Sequence, residues 1–383
     1  MIRKVSFRNF KAYRSLDVEL EPLTVLVGPN ASGKTTLLEG LHLVSQTALM
    51  LGGGWSYWSA SPRIQSYGIK TPAEISVHGQ WGGALGFAKA TSGEVIEPQD
   101  PGKPYLPFKI TGDWGGKKFS VGTFPGEEKA PITPAAYGGL EKADLQRLQA
   151  ALVSTAILQF EAERLADASY STEPIPHIKS DGSGLASVLA YLKLSRDEVF
   201  EEIERALRGI VPTVRRIRIE RALVEQMARG PEGQLVWGNQ LVFDMQGAKG
   251  VSADAAGEGT LMALGLLTVL LGPPQPRLVL LDDIELKLHP AAQAKLVEVL
   301  RAIQKRDSGV QIVATSHSPF ILNYLDPKEV RMTFLAENGF ARCEKLTAHP
   351  EFEKWKDLMS PGEFWSTVGE KWLDKAGETS ASK

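Results

Sequence analysis

Apolar positions change their spacing several times along the chain, and each change marks an element. Over residues 1–27 the spacing is that of strands. Val5, Phe7 and Phe10 flank a break at Asn9, Leu16, Val18 and Leu20 alternate, and the short apolar run Leu23–Val27 follows. Helical spacing then predicts a helix over 34–50. Residues 51–140 are rich in Gly, Pro and Trp, with short alternating runs at 75–79 and 108–111, which predicts an antiparallel β insert. Helices are expected at 142–152, 184–192 and 195–207, and strands at 213–219 and 234–244. An apolar helix after Gly259 leads to a strand at 278–281, a helix over 290–304 and a strand at 310–315. The section 328–373 reads as a short strand pair and an aromatic helical tail. Strands interleaved with helices predict an α/β protein. No internal repeat and no sustained heptad region is visible, so no long coiled-coil arm is expected.

Composition narrows the classes. The chain has 383 residues, 43% of them hydrophobic, enough for one large domain with inserts or for two domains. Its formal net charge of −2 gives no global basic field, so any contact with DNA would have to be local. The single cysteine, Cys343, excludes a disulfide framework and a cysteine-rich metal site and suits a reducing cytoplasm. The first seven residues alternate like a strand and lack a signal-peptide core. The longest apolar run, 261–271, is too short for a bilayer and reads as a buried helix, so no membrane partner is expected.

Three segments carry chemistry. Gly28-Pro29-Asn30-Ala31-Ser32-Gly33-Lys34-Thr35 is a G-x-x-x-x-G-K-T loop between a strand and a helix, the context that a Walker A loop requires. Its glycines let backbone N–H groups turn toward phosphate oxygens, and the helix N-terminus adds partial positive charge. Lys34 is expected to reach the β- and γ-phosphates, Thr35 to ligate Mg²⁺, and Asn30, Ala31, Ser32, Gly33 and Thr36 to complete the cradle. The second segment is Leu278–Leu281 followed by Asp282 and Asp283. A buried strand ending in an acidic pair suits a Walker B element, with Asp282 on Mg²⁺ and Asp283 polarising the attacking water. Taken alone it is equally an ordinary buried strand, and the upstream loop decides between the two. The third is Val313-Ala314-Thr315-Ser316-His317-Ser318-Pro319, where a strand end delivers His317 to the same sheet edge. There it can contact the γ-phosphate, although a lone histidine can also be structural. ATP and Mg²⁺ are the ligands these segments imply.

Together, G-P-N-A-S-G-K-T-T, L-L-D-D-I-E-L-K-L-H-P and A-T-S-H-S-P resemble the ABC-type ATPase heads of the SMC, RecF and OLD group. The likeness is nearest to stand-alone bacterial ATPases labelled AAA but built on the ABC plan. Its specific motifs cover residues 1–48 and 235–335. It implies an α/β P-loop NTPase of ABC-ATPase type, with a mixed sheet core, an antiparallel β insert and a helical lobe. On that plan 1–50 and 235–345 form the ATPase core and 51–140 the β-rich insert. Residues 141–234 form the helical lobe and returning strands, and 346–383 an aromatic tail. Arg8-Asn9-Phe10-Lys11 matches the family's entry strand, which makes Lys11 a candidate nucleotide contact. The resemblance places a signature loop at Ala256-Gly257-Glu258-Gly259-Thr260, where Gly257 and Gly259 would close the ATP site of a second subunit. Gly257 stands where serine is common. Asp283 replaces the usual catalytic glutamate, with Glu285 close by as another carboxylate. His289-Pro290 matches a loop that faces the dimer partner, and Gln159 is the candidate for the Q-loop.

Two features stand apart from the motifs. Arg205, Arg208, Arg215, Arg216, Arg218 and Arg221 could meet a nucleic-acid backbone, but Glu204 and Glu220 interleave with them and favour a solvated mixed face. Phe352, Trp355, Met359, Phe364, Trp365 and Trp372 suit packing of the tail, or a docking surface. The resemblance implies a dimerising ATPase, a homodimer joined by sandwiched ATP, that switches an effector in DNA maintenance or anti-phage defence. OLD-type relatives carry a TOPRIM nuclease domain after the ATPase. The stretch after His317 is too short for one, so the effector is expected as a separate protein, a nuclease or another. A transporter subunit shares the motifs but not the long gap between Lys34 and Asp282. The alternative is an ATP-dependent conformational switch with little or no hydrolysis, which the departures at Gly257 and Asp283 favour.

Overall fold

The computed structural model describes residues 1–48, 58–59, 66, 71–81, 84–92, 105–106, 108–121, 141–226 and 234–373. Positions 49–50 of the expected first helix, much of the insert expected at 51–140 and the end of the tail lie outside them. Two compact units share the chain. One holds Met1–Thr155, Arg277–Leu280 and Gly309–Lys383, the other Ala156–Pro276 and Leu281–Ser308.

In the first unit, β1 (Ile2–Phe10) and β2 (Tyr13–Glu19) form an antiparallel hairpin. β3 (Leu23–Val27) is buried along its whole length and leads into α1 (Lys34–Ala48). Two-residue strands β4 (Trp58–Ser59) and β7 (Tyr105–Leu106) pair with each other. β5 (Glu74–Trp81), β6 (Ala84–Ser92), β8 (Phe108–Trp114) and β9 (Lys117–Val121) continue the β1 hairpin as an antiparallel sheet ordered β2-β1-β5-β6-β8-β9. The first two strands of the chain therefore run with the insert rather than with the strand that feeds the phosphate loop. Alternation explains this: Val5, Phe7, Ile75 and Val77 bury one face while the intervening side chains stay polar. α2 (Lys142–Val153) closes this stretch of chain.

The second unit begins in β10 (Thr155–Leu158) and continues through α3 (Ala162–Ala166), α4 (Leu185–Ser195) and α5 (Asp197–Ile210). On α5 the buried positions are Phe200, Ile203, Leu207 and Ile210, a stripe at helical spacing. β11 (Val214–Gln226), β12 (Gln234–Met245) and β13 (Ala248–Ser252) make a three-stranded antiparallel sheet. α6 (Glu258–Leu271) is apolar on every side and buried almost throughout, as the run at 261–271 predicts. β14 (Leu278–Leu281) gives its first three residues to the first unit, and α7 (Pro290–Arg306) returns to the second.

The rest of the chain belongs to the first unit: β15 (Gln311–Ser316), α8 (Pro319–Leu322), β16 (Val330–Leu335), β17 (Ala341–Lys345), α9 (Phe352–Trp355) and α10 (Pro361–Val368). Strand order there is β14-β15-β3-β16-β17. β15 and β16 run parallel to β3 on its two sides, and β17 is antiparallel to β16, so the sheet is mixed. Gln311 joins this sheet to the start of β1. Its buried carboxamide accepts from the Ile2 N–H at 2.9 Å and donates to the Ile2 carbonyl at 2.7 Å. Among the described residues no helix is long and apolar enough to cross a membrane.

Candidate nucleotide site

The phosphate loop is shaped from beneath. Gly28 has φ +148 and Gly33 φ +99, backbone conformations that side chains rarely adopt. Space forbids side chains there as well. A Cβ on Gly28 would stand 2.2 Å from the Thr333 carbonyl oxygen, and one on Gly33 would stand 2.9 Å from the Tyr13 hydroxyl. Tyr13 Oη donates to the Gly33 carbonyl at 2.8 Å, and Ser32 Oγ and Thr333 Oγ1 share a hydrogen bond of 2.6 Å. Thr333 in turn donates to the Val27 carbonyl at 3.0 Å. Burial pushes the Tyr13 phenol well above its ordinary pKa, with Cys343 adding to the effect, so its hydroxyl remains a donor. Lys34 is buried at 6% exposure, and its ammonium donates to the Gly28 and Pro29 carbonyls, each at 2.9 Å. Asn30 and Ala31 are exposed at the lip, Ala31 with φ +62, while Thr35 and Thr36 are half-buried in the first turn of α1.

His317 emerges beside this loop. The parallel register sets Ser316 opposite Val27, so the residues that follow, His317 and Gly28, leave adjacent strands at the same edge. His317 is exposed there. Lys11, in the β1–β2 turn at φ +47, pairs its ammonium with Glu39 of α1 at 2.5 Å. Its charge therefore lies against the first helix.

In the second unit the acidic pair follows β14 directly. The Asp282 N–H donates to the Leu158 carbonyl at 3.1 Å, which ties the pair to the end of β10. Asp282 is half-buried, whereas Asp283 is exposed and left-handed at φ +56. Glu285 lies in the same loop, half-buried, and its carbonyl accepts from the Leu288 N–H. Gly257, at φ +89, caps the N-terminus of α6. Gly259 lies two residues further on, and a Cβ there would meet the Lys287 carbonyl at 3.1 Å and the Leu286 carbonyl at 3.3 Å. The glycine-rich loop is thus packed against the loop after the acidic pair, and a Lys287–Glu258 ion pair joins the two. His289 caps α7: its Nδ1 accepts from the Ala291 N–H, with Pro290 in the first turn where the missing N–H costs nothing. Gln159 is exposed just past β10, and its backbone N–H donates to the Ser180 carbonyl.

Of the expected site residues, the first unit gathers the phosphate loop and His317, and the second gathers the acidic pair with the glycine-rich loop. The arginine group is a mixed face: Arg208 pairs with Glu204, and Arg218 with Glu220 and Asp244. Phe352 and Phe364 of the tail are buried and pack edge to face. Tyr13 and Thr333 shape the loop although neither belongs to a motif. Tyr13 had a local signal, an aromatic three residues after Phe10 in the entry hairpin. Thr333 had none, because its partner Val27 is 306 residues away.

The residues of the loop in the first unit fit a nucleotide phosphate group. The curled loop presents the N-terminus of α1, with the buried Lys34 ammonium held against the loop carbonyls, which suits phosphate oxygens, and Thr35 in the first turn offers a hydroxyl of the kind that ligates Mg²⁺. A family model described as "AAA domain, putative AbiEii toxin, Type IV TA system" matches residues 112–323, more than half of the chain, and one described as "AAA ATPase domain" matches residues 1–72. The OLD nuclease of Thermus scotoductus is 36% identical over 69 residues, 18% of this chain and 11% of that protein. The DNA replication and repair protein RecF of Roseiflexus castenholzii is 47% identical over 47 residues, 12% of each. The aligned stretches span about a tenth of these curated relatives. Among solved structures, an Smc head bound to the C-winged helix domain of ScpA superposes with a TM-score of 0.53 at 13% identity, over 92% of this chain and 99% of that one. By the match that spans more than half its length, the chain belongs to this AAA domain family, and its fold is that of an ABC-type P-loop ATPase head of the SMC, RecF and OLD group.

Proposed function

We propose that this protein is a magnesium-dependent ATPase that dimerises around ATP and thereby switches a separate effector protein in DNA maintenance or defence against foreign DNA. The observation that carries the reading is the pairing of Ser316 with Val27, which sends the phosphate loop and His317 out of the sheet together. Lys34 exchanges its bonds to the Gly28 and Pro29 carbonyls for phosphate oxygens, and the loop N–H groups hold the remaining charge. Thr35 and Asp282 would hold Mg²⁺, which would supply charge neutralisation at the phosphates. Asp283 orients and deprotonates the attacking water, with Glu285 as the neighbouring carboxylate. His317 donates to the terminal phosphate. Gly257 and Gly259, at the α6 N-terminus, close over nucleotide bound by a second copy, which gives a two-fold dimer with two identical sites. The effector setting rests on the OLD and RecF likeness, and a DNA partner rests on no more than that.

The test is Lys34→Ala. Removing one preorganised charge from a transferring phosphate costs about 10²–10³ in rate. The variant should stay folded and lose nucleotide binding or turnover in a steady-state phosphate-release assay. Wild-type turnover would remove the site assignment. A second reading, a switch that binds ATP and scarcely hydrolyses it, is favoured by the exposed, left-handed Asp283 and by the missing hydroxyl at Gly257. A single-turnover assay on the wild-type protein separates the two. Product formed within minutes supports the ATPase, and ATP recovered intact from a stable dimer supports the switch.

A further inference from the structure

We infer that the C-terminal helix α10 positions His317, so that the tail sets how well the site distinguishes ATP from ADP. The inference rests on the role proposed for His317 above. α8 starts at Pro319, two residues beyond His317, and α10 is seated on its backbone. Gly362, the second residue of α10, is buried. A Cβ there would stand 2.0 Å from the Pro319 carbonyl oxygen and 2.5 Å from Asn323 Oδ1. Neither partner can give way cheaply: one is backbone and the other is bonded to the helix it touches. The Gly362 N–H donates to Asn323 Oδ1 at 2.9 Å, so a side chain at the end of α8 caps the start of α10. Ser360 and Glu363 complete a capping box on the same turn. Behind the contact, Phe364 is 2% exposed and meets the rings of His349 and Phe352 edge to face, and His349 also meets Trp372. The aromatic cluster fixes α10, Gly362 lets it approach, and Asn323 locks it to the short helix that carries the chain away from His317. Glycine is required here by space, since the backbone conformation of Gly362 is an ordinary one.

The test compares affinities for ATP and ADP, each titrated with Mg²⁺ against the full chain. A histidine donating to the terminal phosphate contributes only when that phosphate is present, so His317→Ala should lower the ATP:ADP affinity ratio by about tenfold or more and leave ADP binding unchanged. Gly362→Ala and Asn323→Ala should lower the same ratio, again without weakening ADP. Asn323→Asp keeps the acceptor and should keep the ratio within about twofold of wild type. In the His317→Ala background, Gly362→Ala should change the ratio no further. If Gly362→Ala does not fold, the Asn323→Ala and Asn323→Asp pair decides the matter. A lowered ratio in His317→Ala with wild-type ratios in the α8–α10 variants overturns this inference alone. A wild-type ratio in His317→Ala overturns the role given to the histidine, and this inference with it. Equal weakening of ATP and ADP in the α8–α10 variants makes the contact purely structural and also overturns the inference.

Discussion

Asp283 stands at φ +56, and that backbone explains the residue as much as the chemistry does. Aspartate and asparagine tolerate the left-handed region better than longer side chains, because their short polar groups bond locally. Asp283→Asn therefore keeps both shape and backbone and removes only the charge. It should bind ATP and Mg²⁺ as wild type does and slow single-turnover hydrolysis by about 10²-fold. Asp283→Glu restores the commoner family residue but places it on a backbone that costs about 1 kcal/mol more. It should lower the thermal midpoint and give no faster turnover. Wild-type hydrolysis in Asp283→Asn would pass the role to Glu285. Tyr13 is the complementary case, a fully buried residue that shapes the loop from beneath. Tyr13→Phe removes the bond to the Gly33 carbonyl, which keeps a second donor in the Leu37 N–H. The loss should be about 1 kcal/mol in stability, with a several-fold weaker ATP dissociation constant, measured by thermal unfolding and by titration. An unchanged affinity would leave Tyr13 as packing alone.

Between elements, the informative contact is the N-terminus of α6 against the loop at 286–288. Gly259 is the point of closest approach. Gly259→Glu forces bulk and negative charge between α6 and the loop at 286–288 and so disturbs the surface proposed to face a second ATP. It should abolish ATP-stabilised dimers in light scattering with a non-hydrolysable analogue, while the phosphate loop in the other unit still binds nucleotide as a monomer. An unchanged dimer would place the interface elsewhere. This contact also marks how far the sequence could be read. The glycines of the phosphate loop, the Leu278–Leu281 strand and the buried run of α6 are local patterns, so spacing and composition reveal them. Boundaries moved by a residue or a few, as at α5, which runs to Ile210 rather than 207, because its last buried position continues the stripe. The partnership of Gly259 with residues 286–288, the salt bridge of Lys11 to Glu39, and the seat of Gly362 on Pro319 had no local pattern at all. Each is a contact in space between segments that the period of either one leaves undetermined.

At the scale of the molecule, the antiparallel sheet is built from both the entry hairpin and the insert, and the entry hairpin also supplies Tyr13 to the phosphate loop. The loop is thus bracketed by parts of the chain made at very different times. Tyr13 is made before the loop it supports. Thr333, which bonds both Val27 and Ser32, lies 306 and 301 residues later. β15 and β16, which flank β3 on either side, also come from the last quarter of the chain. Pairings of such sequence separation form slowly, because the loop between them must close before any contact rewards it. During synthesis at about 5–20 residues per second, β3 would wait tens of seconds with both edges unpaired and its all-apolar face uncovered. The nascent chain is therefore expected to need chaperones long before it can bind nucleotide. Ribosome-bound chains halted at residue 300 should fail to retain an ATP analogue and should bind trigger-type holdases. Chains halted far enough on for β16 to clear the exit tunnel should do the reverse. Retention of the analogue by the shorter chains would show that β3 and its loop take their final shape without their neighbours.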